Sequence, residues 1–142
     1  TPFVRCPPGR IKPNPTLIEV ALFEFLDRGY YDTHLEELQR ALDARYRLCI
    51  DLLRRTMPEG VAWTTPGGGP LLWVELPKAV DPARLAERLA AERIHIDPSR
   101  ASFFGDPHLH GFKLSYAYPT PEQLESGIPR LAAAIARELE RA

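Results

Sequence analysis

The stretch Gly67-Gly68-Gly69-Pro70-Leu71-Leu72-Trp73-Val74-Glu75-Leu76-Pro77 decides the fold class. Three glycines and a proline make a turn. Leu71–Leu76 is then a compact apolar run with a tryptophan and a valine, which suits a buried strand, and Pro77 ends it. Just upstream, Val61-Ala62-Trp63-Thr64 is a second short strand candidate. The turn Pro66–Pro70 joins the two into an antiparallel hairpin. Glycine loops that cradle phosphates open onto a helix. This one opens onto a strand, so it reads as a hairpin turn.

Downstream, Asp81-Pro82 has the cap-plus-proline pattern of a helix start, with Leu85, Ala86 and Leu89 as its buried stripe. Ile94-His95-Ile96 is a short strand candidate and Ser99–His110 a loop holding Gly105 and Pro107. Phe112–Tyr116 alternates, with Phe112, Leu114 and Tyr116 on one side and Lys113 and Ser115 on the other. Thr120-Pro121 opens the last helix, and Gln123 completes a capping box. Leu124, Ile128, Leu131, Ile135 and Leu139 face inward, and Pro129 falls inside the helix, where a kink is expected.

Upstream of the hairpin the pattern is helical. A first helix starts near Asn14-Pro15-Thr16, capped either by Asn14 with Pro15 following or by Thr16 with Glu19. Its residues Leu17, Ile18, Val20, Ala21, Leu22, Phe23, Phe25 and Leu26 are apolar nearly all round, which demands cover on more than one side. Gly29 ends it. Asp32 caps a long second helix reaching about Thr56, with Leu35, Leu38, Leu42, Tyr46, Cys49 and Leu53 on one face. The order α, long α, β, β, α, β, β, α predicts an α+β fold, a small mostly antiparallel sheet covered by helices and preceded by a long linking helix.

At 142 residues with 44% hydrophobic and 26% charged residues, the chain has an ordinary globular composition. The formal net charge of −1 gives no global case for nucleic acid, and no apolar run approaches the length of a membrane helix. No direct nucleic-acid contact and no membrane association are expected, and no signal peptide is read, which suits a cytoplasmic location. A first residue of Thr1 points to a processed chain or a piece of a larger one.

The remaining chemistry-bearing residues have plain readings. Cys6 lies in a proline-rich leader and Cys49 on an apolar stripe, so neither implies a disulfide or a metal. His108 and His110, near Asp106, read as loop surface because a metal site needs further ligands. His95 reads as a solvent-facing strand residue, and Trp63 and Trp73 as packing residues of facing strands. Arg84, Arg88 and Arg93 interleave with Glu87 and Glu92 as a solvated helix face.

Several of these segments in order resemble one family. Gly67–Pro77 is similar to the glycine-pair, apolar-x-Trp strand and Leu-Pro segment in the C-terminal small domain of class I/II (fold type I) aminotransferases, which use pyridoxal phosphate. Lys113-Leu114-Ser115-Tyr116-Ala117 resembles that domain's Arg-Leu-Ser-Phe-Ala strand. Gly29-Tyr30-Tyr31-Asp32-x-His34-Leu35 resembles the start of the long helix linking large and small domains, and the helix from Thr120-Pro121-Glu122-Gln123 through Gly127, Leu131 and Ala132 fits too. The 2-aminoadipate aminotransferase group, and regulators that fuse a winged-helix DNA reader to an aminotransferase-like body, are the most similar.

The resemblance implies a domain plan: 1–15 an irregular leader, 16–30 a helix from the end of a missing large domain, 31–142 the small domain. It implies a role in closing over an amino-acid-type ligand, with the large domain and a second copy of the chain as partners. The family's strand arginine grips the substrate carboxylate with a planar fork, and Lys113 occupies that position. Lys113 stands either as a carboxylate-binding cation or as a solvated strand residue. The family's Pro-Gly turn is Pro98-Ser99 here. Pro8-Gly9-Arg10 is similar to the stretch after the family's Schiff-base lysine, but Val4 holds the place four residues before Pro8. Pyridoxal phosphate is therefore expected in the parent protein and not on this chain alone, which is expected to have no catalytic residues of its own. The alternative function is an effector-sensing or dimerising domain of a winged-helix (GntR-type) regulator.

Overall fold

A computed structural model describes residues 16–98 and 109–141. Expectations that fall on the leader 1–15, including Cys6 and the Asn14 cap, and on Ser99, Asp106 and His108, lie outside these residues. The chain divides into two compact units, Thr1–Gln39 and Arg40–Ala142, with the division inside the second helix.

The first unit holds α1 (Thr16–Asp27) and the first part of α2 (Tyr30–Thr56). Gly29, at φ 72°, makes the break between them. α2 starts two residues before the expected Asp32 cap. The Gly29 carbonyl accepts both the Thr33 N–H and the Thr33 hydroxyl, each at 3.4 Å, so the first turn forms without Asp32. Asp32 instead places its charge in that turn, where the helix dipole favours an acid. Phe25 lies against Tyr30, Tyr31 and His34, with ring centroids 6.2–6.5 Å apart. No residue of α1 is buried: Leu17, Ile18, Leu22 and Phe23 are all more than half exposed.

The second unit contains the rest of α2, strands β1 (Ala62–Trp63) and β2 (Leu71–Glu75), α3 (Pro82–Ala91), β3 (Gly111–Ser115) and α4 (Pro121–Leu139). The sheet order is β1-β2-β3, antiparallel throughout, so the expected α+β architecture is observed. The hairpin forms as read. Trp63 pairs with Val74, and Thr64 extends the ladder by donating its N–H to the Trp73 carbonyl at 2.9 Å. Leu72, Val74 and Leu76 point to the core, where they meet Leu53, Leu85, Leu89, Phe112, Leu131 and Ile135. On α2 the apolar face is buried only from Cys49 onward, while Leu38 stays exposed.

The expected strand Ile94–Ile96 does not form. In its place is one isolated bridge, Asp97 to Lys113. The cause is local. α3 ends with Arg93 in a left-handed conformation, φ 61°, the Arg93 N–H bonding Ala90 and the Ile94 N–H bonding Leu89. These are the two bonds of a Schellman motif. Ile94 has thus given its N–H to the helix end and Pro98 has none to give, and the pairing observed is the Lys113 N–H to the Asp97 carbonyl.

α4 opens with the full Thr120/Gln123 capping box and runs through Pro129 without a break in its range. Its inward stripe ends in a charge: Glu138 is 8% exposed. Arg88 of α3 donates to it, and Arg141 and Arg84 stand 3.5 and 3.9 Å away. Arg84 and Arg88 are therefore not just a solvated face, since both reach across to α4. Arg130 and Arg137 of α4 reach back to Glu92 at the end of α3.

Candidate functional site

A sheet with one face in the core leaves its other face for a ligand. On β2 that face carries Leu71, Trp73 and Glu75, and on β3 it carries Lys113 and Ser115, with Trp73 directly opposite Lys113. Trp63 and Trp73 thus lie on opposite faces: Trp63 packs against the core and Trp73 does not.

Lys113 is fixed at its backbone from both sides. It pairs with Trp73 across the ladder, and its N–H donates to the Asp97 carbonyl at 3.0 Å. Its ammonium lies 3.9 Å from the Asp97 carboxylate, and the side chain is 35% exposed. A partly exposed lysine, paired across the ladder with a tryptophan and ion-paired to an exposed carboxylate, can receive a ligand carboxylate. As a point charge it does so without imposing a plane.

Around this face the turns are anchored. The Tyr116 hydroxyl donates to the Gly69 carbonyl in the hairpin turn, and the Tyr116 N–H reaches the Pro70 carbonyl at 3.3 Å. The Tyr116 ring lies 5.4 Å from that of Tyr46 on α2. Arg45 donates to the Ala117 carbonyl at 2.9 Å, tying α2 to the end of β3. Burial pushes the Tyr116 hydroxyl's pKa up, with Tyr46 and Cys49 adding to it. Burial likewise pushes the Cys49 thiol from 9.0 to about 11, as suits a core residue and not a nucleophile.

Other expected residues take plain roles. His110 donates from Nε2 to the Val80 carbonyl at 2.7 Å and so anchors the start of β3. His95 is exposed. Among the described residues no group of three or more His, Cys, Asp or Glu could hold a metal, and no helix is long and apolar enough to cross a membrane.

Three residues that matter were not singled out from the sequence. Gly111 is one. A Cβ there would lie 1.9 Å from the Val74 carbonyl oxygen, so only glycine lets β3 approach β2. A glycine directly before an alternating strand is the signal for such a close approach. Glu138 is the second, and its signal is an acid at the position where the Leu131–Ile135 stripe continues. Asp97, beside Lys113, left no signal, because its pairing depends on how α3 ends.

No family model matches the chain. Comparison with curated proteins finds an aromatic-amino-acid aminotransferase of Thermococcus litoralis, 29% identical over 126 residues, covering 89% of this chain and 30% of that protein. It also finds the HTH-type transcriptional regulator TauR of Rhodobacter capsulatus, 31% identical over 138 residues, covering 93% and 26%. Among solved structures, the α-aminoadipate aminotransferase LysN of Thermus thermophilus, complexed with N-(5'-phosphopyridoxyl)-L-leucine, matches with a TM-score of 0.77 and 28% identity, covering 85% of this chain and 31% of that one. The chain thus spans 26–30% of the length of these two curated relatives.

The described lysines do not fit a pyridoxal phosphate anchor. Lys78 is exposed, and Lys113 is ion-paired on a sheet face. Neither stands in the desolvated pocket that activates a Schiff-base lysine.

Proposed function

We propose that this chain, a partial C-terminal aminotransferase-like domain, forms the wall of its parent's ligand site that closes over an amino-acid-type substrate. The proposed plan keeps residues 16–30 as a helix from the end of a larger domain and 31–142 as the small domain, with α2 joining them. Closure excludes water, and Lys113 supplies the cation for the ligand's carboxylate. Pyridoxal phosphate, where the parent binds it, supplies the electron sink for chemistry at the amino acid's α-carbon. The chain's own share is to bind and orient.

The observation that carries this reading is the position of Lys113, opposite Trp73 on the sheet face turned away from the core and half exposed. The test is Lys113→Arg in the parent protein. A bidentate guanidinium adds a second charge-assisted hydrogen bond, so affinity for the amino acid rises about tenfold. Lys113→Ala weakens it. Unchanged affinity in both variants makes Lys113 a solvated strand residue. The chain alone is expected not to bond covalently to the cofactor. A cofactor absorbance band trapped by borohydride on one of its lysines refutes that part.

The HTH-type regulators among the relatives favour a second reading, an effector-sensing or dimerising domain. A winged-helix segment encoded upstream decides for it; this chain itself does not touch DNA. In either reading the exposed apolar surface of α1 is covered by the larger domain or by a second copy. The isolated chain self-associates, and a clean monomer in sedimentation at high concentration counts against that.

A further inference from the structure

The segment 94–98 meets β3 at an acid. β3 runs between β2 and this segment: Lys113 pairs with Trp73 on the β2 side, and on the other side its N–H donates to the Asp97 carbonyl at 3.0 Å. The bridge is antiparallel and isolated, so Asp97 is the residue of its segment held in register with β3. Residues opposite one another in an antiparallel pair project their side chains to the same face. The Asp97 carboxylate and the Lys113 ammonium accordingly lie 3.9 Å apart. The backbone pairing, and not only the choice of rotamer, brings the two charges together.

A carboxylate arriving at Lys113 therefore finds the ammonium already serving one anion. An ammonium has three N–H donors, enough for two carboxylates, but a single positive charge to balance them. If the arriving group displaces Asp97, the ion pair is lost. If both stay, two like charges share one cation. Either course subtracts from the ligand's binding. Displacement is the easier course, because the Asp97 side chain is 65% exposed and water solvates its carboxylate as it leaves. A carboxamide carries no charge and enters no such competition.

We propose that Asp97 is a specificity-determining residue of the ligand site, an inference that rests on the reading of Lys113 as the site's cation. The Asp97 carboxylate is the occupant that a ligand's carboxylate replaces, and it sets how tightly that carboxylate is held. Its effect is the size of an exposed ion pair, about threefold in affinity. The empty site carries its own counter-ion, and a bound acid leaves more readily than it would from a bare ammonium.

The test measures affinity in the parent protein by calorimetry, for L-leucine, L-phenylalanine and the amides of both. Asp97→Asn keeps the side chain's shape and the backbone bond and removes the charge. It tightens the two acids about threefold and does not tighten the amides. In a Lys113→Ala background the same change brings no gain. Asp97→Glu, which keeps the charge, binds the acids as the unsubstituted protein does. The proposal is overturned if Asp97→Asn leaves the acids unchanged, weakens them, tightens acid and amide alike, or still tightens the acids in the Lys113→Ala background. The reading of Lys113 survives those results as long as Lys113→Ala alone weakens the acids. Lys113→Ala without effect, or an unsubstituted protein that binds neither acid, removes that reading and this proposal with it.

Discussion

Replacing Gly111 with alanine tests the sheet that positions Lys113. The added Cβ would lie 1.9 Å from the Val74 oxygen, 2.9 Å from its carbonyl carbon and 3.0 Å from the Glu75 Cα. All three are backbone atoms of β2, so no side chain can swing aside. To bring the Cβ to 3.0 Å from that oxygen, the strands must part by about 1.1 Å. The neighbouring bond from the Leu76 N–H to the His110 carbonyl is 2.8 Å long. That separation stretches it beyond hydrogen-bonding range. Losing one or two such bonds costs about 0.5–1.5 kcal/mol each, and the overpacking itself about 1–3. The expected loss is about 2–5 kcal/mol, a large part of an ordinary domain's stability. Urea unfolding reads this as a midpoint about 1–3 M lower, for slopes usual in small domains. Gly67→Ala is the control, because nothing lies within 4 Å of a Cβ there. If Gly111→Ala unfolds within about 0.5 kcal/mol of Gly67→Ala, the close approach of β3 to β2 is wrong, and with it the placement of Lys113.

Arg93→Gly should stabilise the chain by about 0.5–1 kcal/mol, because Arg93 holds a left-handed φ of 61° that glycine adopts without strain; a thermal melt that falls instead rejects the Schellman end of α3. Stability should decline in alkali through Cys49. Its folded pKa, raised from 9.0 to about 11, makes the unfolded chain release its proton first, so stability is complete below pH 9 and lost as pH rises toward 11. A shift of that size corresponds to a loss on the order of 3 kcal/mol. Tyr116 is shifted in the same direction and adds to the loss. Cys49→Ala removes the Cys49 share, and identical alkaline slopes in the two proteins contradict a buried thiol.

The legible parts of this fold are those written in local chemistry. The Pro66–Pro70 turn, the Leu71–Leu76 strand, the Asp81-Pro82 start and the Thr120/Gln123 box each depend on residues within a few positions; the strand forms over Leu71–Glu75 and both helix starts form where read. What was not legible depends on partners far away in sequence. Ile94–Ile96 has a strand's composition but loses its first donor to α3 and meets a proline, so composition alone misleads. Arg84 and Arg88 look like a solvated face until α4 brings Glu138 against them, fifty residues from Arg88. The ordered resemblance supplied the architecture and the special standing of Lys113. It said nothing of Asp97, which departs from any local pattern.

Lys113 also bears on which kind of parent this domain serves. A reaction at the α-carbon requires the substrate held in one orientation, and small misplacements are costly in rate. A sensor requires only that occupancy shift a conformational balance. An ammonium 3.9 Å from Asp97, carried on a flexible stem, meets the second requirement more readily than the first. Lys113→Arg in the parent therefore separates the two. In an enzyme the planar fork improves orientation, so kcat rises along with affinity. In a sensor the ligand concentration at half response falls while the maximal response stays as it was. A variant whose affinity rises with neither of these patterns would show that the carboxylate is oriented by a residue other than Lys113.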